Sequence, residues 1–126
     1  MSSNFLSIPV DWSKYDVVFA CAQKNLGPAG VNVIIAKKSL LGKKRPDTPL
    51  MCDWELFYNC GGFYNTPNVF AIYMSGLNLA LMKKNGLAYY DELAKKRSGL
   101  IYDVIDNSNG FYSSDVSKSC RSRMNV

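Results

Sequence analysis

Two short apolar runs, residues 15–20 (YDVVFA) and 31–36 (VNVIIA), are separated by only ten residues, CAQKNLGPAG. Both runs are β-branched and bounded by turn residues, so they read as strands buried on two faces or nearly so. A parallel pair needs a crossover of a dozen or more residues, usually a helix, and this connection with its Gly27-Pro28-Ala29-Gly30 turn is too brief for one. The two strands are therefore expected to lie adjacent in one sheet, paired antiparallel as a hairpin-like edge. The rest of an α/β chain has to be arranged around that pair.

The remainder divides into a loop-rich middle and a helical second half. Pro9 holds Ile8 extended within a polar, turn-like opening segment. Pro46, Pro49 and Gly61-Gly62 mark residues 37–64 as mostly loop, long enough to be functional. Thr66-Pro67 reads as an N-cap followed by proline at the first helical position, with the helix running to Asn85 and Gly86 as its left-handed terminator. That helix is apolar almost all round (Val69, Phe70, Ile72, Tyr73, Leu77, Leu81), so it is expected to bury itself against more than one neighbour, or to leave apolar surface exposed and prone to aggregation. A second helix over residues 87–107 places Leu93, Leu100, Ile101, Val104 and Ile105 on one stripe, away from Lys95-Lys96-Arg97. Asn109-Gly110 is a turn signal, and residues 111–112 and 124–126 are expected to begin short strands. The text reads as an excerpt, entering a strand at RSRMNV where it stops.

Composition narrows the function classes. With 126 residues, 48% of them hydrophobic, the chain has the length and apolar content of one ordinary domain. Its net charge of +5 comes from lysine clusters spread along the length, which favours solvated faces over a nucleic-acid footprint. No apolar run reaches the 18 or so residues of a membrane span, and no secretory h-region follows Met1. Cys21, Cys52, Cys60 and Cys120 lack a C-x-x-C spacing and there is no histidine, so they read as free thiols with no metal site. A soluble, cytoplasmic protein that binds neither nucleic acid nor membrane is the expectation.

One residue in the short connection stands out. Lys24, between Gln23 and Asn25 just past a strand end, has two readings. As an ordinary surface lysine its ammonium reaches solvent. Alternatively its amine is desolvated there and, as the neutral form, condenses with an aldehyde to a Schiff base. Small neighbours (Ala20, Cys21, Ala22) leave room for a bulky group, the amides of Gln23 and Asn25 offer polar contacts beside the amine, and the Gly-Pro-Ala-Gly turn permits close backbone approach.

The segment AQKN-x-G-P-A-G followed by an apolar strand resembles the cofactor-lysine segment of the phosphoserine aminotransferase family, pyridoxal-phosphate enzymes of fold-type I. SSNFLS-x-P-V-D-x-SKY, YNTP-x-x-F-x-IYM-x-GL, YD-x-IDNS-x-GFY and RSRMNV are similar to that family in the same order, over nearly the whole chain. Residues 43–63 depart from it. The resemblance implies an α/β fold that is part of a fold-type I aminotransferase, with residues 1–85 in the large cofactor-binding domain, including an interface loop and linking helix, and residues 86–126 beginning the small C-terminal domain. It implies pyridoxal 5'-phosphate as cofactor, Lys24 as the Schiff-base residue and proton carrier, and Gln23 as a ligand of the cofactor phosphate. It further implies a homodimer in which Asn65 and Thr66 reach the phosphate held by the other subunit, with phosphoserine and glutamate/2-oxoglutarate as substrates.

The family's aspartate on the pyridine nitrogen falls upstream of the stretch matching Met1-Ser2-Ser3, and its substrate-phosphate groups fall downstream. Arg121 and Arg123 therefore read as solvated charges flanking a strand. A non-catalytic fragment that only pairs with a full-length subunit is the alternative reading.

Overall fold

The computed structural model describes residues 2–126. Its sheet is the expected antiparallel pair: β1 (Val17–Cys21) lies against β2 (Asn32–Ala36), in a register that sets Val18 opposite Ile35, Phe19 opposite Ile34 and Ala20 opposite Val33. The expectation of strands buried on both faces does not hold. Side chains alternate across a pleated strand, and only the Val18–Ala20 face packs inward. The opposite face carries Phe19 and Ile34, 65% and 56% exposed. Both strands carry apolar residues on each face, so hydropathy alone does not distinguish the covered face from the uncovered one.

The inner face meets a small core of Phe5, Val18, Ala20, Ala22 and Leu26, with Leu6, Val31 and Val33 at its margin. Phe5 comes from the opening segment, which is turn-like as expected but contributes a core aromatic as well. Two hydrogen bonds hold that segment against the sheet edge. Ser2 Oγ accepts from Cys21 N–H at 3.0 Å, and Asn25 Nδ2 donates to Phe5 O at 3.0 Å.

Residues 37–64 are less loop-like than expected, because a short helix, α1 (Trp54–Asn59), forms inside them. Asp53 caps it, its Oδ1 accepting from Glu55 N–H and Leu56 N–H, while Lys44 Nζ sits 2.6 Å from Oδ2. That lysine hydrogen bond is the first reason the Asp53 carboxyl titrates below the usual aspartate range.

The long helix α2 (Val69–Asn85) ends where expected but begins later. Asn68 is its N-cap, with Oδ1 accepting from Ala71 N–H at 3.0 Å, so Thr66 is not the cap and Pro67 lies outside the helix. Asn and Thr both favour this position, and the cap belongs to whichever oxygen reaches the third residue on. Gly86 takes φ 81°, as a terminator should, but its ψ of 152° is extended, and the chain turns straight into α3 (Leu87–Asp106). The buried line on α2 is narrow, Ala71, Ser75 and Met82, and Val69, Phe70, Tyr73 and Leu81 are exposed.

On α3 the buried positions are Ala94 and Ser98, whereas Leu100, Ile101 and Val104 of the expected stripe face outward. What runs along α3 is the final segment. Tyr102 Oη donates to Ser122 O at 2.9 Å, Arg123 pairs with Asp91, and Arg121 grips Asp106 with Nη1 and Nη2 at 2.9 and 2.6 Å. Neither residues 111–112 nor 124–126 form strands. Arg121 is thus a clamped, nearly covered side chain, not a solvated charge beside a strand. Among the described residues no helix is long and apolar enough to cross a membrane.

Candidate functional site

Beyond the end of β1 the chain makes one helical turn. Ala22 N–H donates back to Val31 O at 3.0 Å, and Ala22 O then accepts from both Leu26 N–H and Gly27 N–H, each at 2.9 Å. Ala22 and Leu26, four residues apart and so on one face of the turn, are fully buried. Gln23 and Lys24 occupy the other face and are exposed. Among the described residues Lys24 has no ion-pair partner. The desolvated amine expected at this position is therefore not seen in the single chain. Burying Ala22 and Leu26 turns Gln23 and Lys24 away from the core.

The neighbours of Lys24 play parts other than those expected. Asn25 does not flank the amine, since its amide is committed to Phe5 O. The Gly27–Gly30 turn does permit a close approach, but to α2. A Cβ at Gly27 would lie 3.1 Å from Ser75 Cα and 3.2 Å from Ser75 Cβ, with the Ser75 hydroxyl closer still. At Gly30, where φ is 107°, it would lie 2.5 Å from Asn68 Nδ2. Asn78, one turn further along α2, donates from Nδ2 to Asn25 O at 3.0 Å and to Leu26 O at 2.8 Å.

Asn65 and Thr66 lie in the exposed segment that leads into α2, with Asn65 Nδ2 directed at Met51 Sδ, 3.7 Å away. Among the described residues no hydrogen bond joins them to Gln23 or Lys24. One chain therefore presents two separate polar groups, Gln23-Lys24 and Asn65-Thr66, at places held by the same helix. Two clefts lie elsewhere. A cleft of about 320 Å³ lies between Lys43–Arg45 and Asp53–Glu55, and one of about 410 Å³ lies between the end of α3 and the final segment. Lys24 lines neither.

A family model for class-V aminotransferases matches residues 1–126, the whole sequence. The chain belongs to the class-V aminotransferases. It is 46% identical over 127 aligned residues to the phosphoserine aminotransferase of Laribacter hongkongensis, covering all of this chain and 35% of that protein. It is equally similar to phosphoserine aminotransferase 2, chloroplastic, of Arabidopsis thaliana, covering 30% of it. Two solved structures superpose on it closely. The phosphoserine aminotransferase of Bacillus circulans subsp. alkalophilus gives a TM-score of 0.87 at 39% identity, over 98% of this chain and 34% of that one. The pyridoxal-phosphate-bound phosphoserine aminotransferase of Trichomonas vaginalis gives 0.88 at 40% identity, over 100% and 35%.

The chain thus spans about a third of the length of the relatives it matches. The α/β expectation stands, and the fold is part of a fold-type I aminotransferase. Within this aminotransferase segment, sequence reasoning missed Ser75 and Asn78. The signal was present as two polar residues three apart, hence on one face, inside the apolar first three turns of the helix.

Proposed function

We propose that this chain is the lysine-bearing segment of a phosphoserine aminotransferase, a pyridoxal-phosphate enzyme that exchanges an amino group between phosphoserine and the glutamate/2-oxoglutarate pair in serine biosynthesis. The reading is carried by the family match over residues 1–126, with 46% identity to two phosphoserine aminotransferases.

The chain's own residues fit the cofactor. Lys24 offers an accessible amine on a turn whose backbone is held by α2, and Gln23 places an amide beside it. Bound there, pyridoxal phosphate supplies an aldehyde carbon for the amine and a ring that takes up the electron pair left when the substrate Cα–H bond breaks. Lys24 Nζ would hold the cofactor covalently and, as the free amine, would carry the proton taken from the substrate Cα. Gln23 donates to the cofactor phosphate. Asn65 and Thr66 would contact the phosphate held by the partner subunit of a homodimer, and among the described residues no hydrogen bond joins them to Gln23 or Lys24, which fits this division. Residues 1–85 belong to the large cofactor-binding domain, and residues 86–126 begin the small one.

The test uses the full-length protein that carries this segment. Borohydride reduction after addition of pyridoxal phosphate, followed by peptide mapping, is expected to leave the cofactor on Lys24. A stable adduct on a different lysine overturns the reading.

A further inference from the structure

The backbone of the Lys24 turn ends in two carbonyls, Asn25 O and Leu26 O. A single helical turn that does not continue leaves its last carbonyls without intrahelical partners. Asn78 supplies both partners. Its amide has two N–H bonds, and Nδ2 lies 3.0 Å from Asn25 O and 2.8 Å from Leu26 O, so one side chain spans two consecutive peptide units next to the lysine. The contact is made across more than fifty residues of sequence by a rigid helix. It is reinforced one turn earlier on α2, where Gly27 is seated on Ser75 with no room for a side chain. Lys24 itself touches none of this, and only the backbone following it is fixed. A reactive amine on a flexible stem gains accuracy when the peptide that carries it cannot rotate.

We propose that Asn78 is a positioning residue for Lys24: by holding the Asn25 and Leu26 carbonyls it makes the lysine turn move as one body with α2. The proposal rests on the reading of Lys24 as the cofactor lysine. It adds a device within the helix interior: the segment bearing Asn65 and Thr66 leads, through Pro67 and the cap Asn68, into the same helix that holds the lysine turn.

The experiment compares full-length parent protein with Asn78→Leu, which keeps the branched side-chain shape and removes the donors, and with Asn78→Ala. The apo proteins receive saturating pyridoxal phosphate, and the rate of borohydride-trappable adduct formation on Lys24 is followed well below the unfolding temperature of each. Both variants are expected to trap about 10- to 100-fold more slowly than the parent, with no rescue by further cofactor. A residue that merely supported the fold would lower the melting temperature and leave this rate intact. Parent-like rates in folded variants overturn the role of Asn78 while leaving Lys24 as the cofactor residue. An adduct mapped elsewhere in the parent overturns the underlying reading instead.

If neither variant folds, hydrogen exchange of the parent decides. The Leu26 and Gly27 amides are expected to be as protected as those of α2 around Ser75 and Asn78. Exchange at the rate of exposed loop amides removes the proposal.

Discussion

Replacing Gly27 with alanine tests how closely the lysine turn is seated on α2. Gly27 does not have a positive φ, so alanine meets no backbone penalty there, and the unfolded chain would lose entropy in the variant's favour by about 0.4–1 kcal/mol. Against that, the new methyl would lie 3.1 Å from Ser75 Cα, a main-chain atom inside a helix that cannot swing aside, and 3.2 Å from Ser75 Cβ. The Ser75 hydroxyl, closer still, is buried and has no hydrogen-bond partner among the described residues. Overpacking of this kind costs about 1–3 kcal/mol. The net expectation is a loss of about 1–2 kcal/mol.

Ser75→Ala separates the two parts of the clash, because it removes the hydroxyl and leaves the helix backbone in place. Alone it should be neutral or stabilising, since an unpaired buried hydroxyl is itself unfavourable. Combined with Gly27→Ala it should recover part of the loss, with a coupling of about 0.5 kcal/mol or more. The assay is the urea midpoint of the full-length proteins at fixed protein and cofactor concentration. Gly27→Ala as stable as the parent, or strictly additive losses in the double variant, would refute the close seating.

Lys24→Arg should keep charge and fold yet abolish transamination in the full-length protein at any cofactor concentration, since a guanidinium does not form the imine; turnover comparable to the parent's would show that Lys24 is not the cofactor residue. Gln23→Ala and Thr66→Ala each remove one hydrogen bond to a charged phosphate, so each should weaken cofactor binding by about 1.5–3 kcal/mol and be restored by excess cofactor; unchanged affinity by equilibrium titration counts against those assignments. The Arg121 hydrogen bond, followed by that of Lys118, holds the Asp106 carboxyl far below its ordinary value of 3.8. Because the folded value is depressed, the stabilisation is complete above pH 3.8 and is lost as pH falls from there toward the folded value. Melting temperatures of parent and Asp106→Asn should therefore differ by a constant amount at neutral pH and converge under acid; a gap that persists there would contradict the assignment.

The strand pair was legible because β-branched runs and a ten-residue connection leave antiparallel pairing as the only short solution. The end of α2 was legible for a similar reason, with Gly86 a local signal acting on a local event. What failed depended on partners. Phe19 and Ile34 face outward, and Leu100 and Val104 are exposed while Ala94 and Ser98 are buried, because burial is set by what packs against a face and apolar residues occupy more than one face. The start of α2 was misplaced by competition between two good caps, and α1 was missed because six residues carry too little periodicity. At the lysine turn, the close backbone approach allowed by Gly27 and Gly30 was legible, though not that it is made to α2. The hold exerted by Asn78 was not, because it joins residues far apart in sequence through backbone carbonyls that no residue type advertises.

The junction at Gly86 has a mechanical consequence. One residue separates two helices, so the direction of α3 relative to α2 is set largely by two dihedral angles. The 20 residues of α3 extend about 30 Å from that point. A rotation of about 10° at the glycine would carry the far end through about 5 Å. Arg121 and Arg123 are tethered to Asp106 and Asp91 along the same helix, so the final segment would travel with it. Gly86 thus acts as the fulcrum of a lever with open space around it, and the hydrogen bonds that the final segment makes to the opening one, Asn125 Nδ2 to Ser3 Oγ at 2.7 Å and Ser122 Oγ to Asn4 Oδ1 at 3.4 Å, restrain its swing.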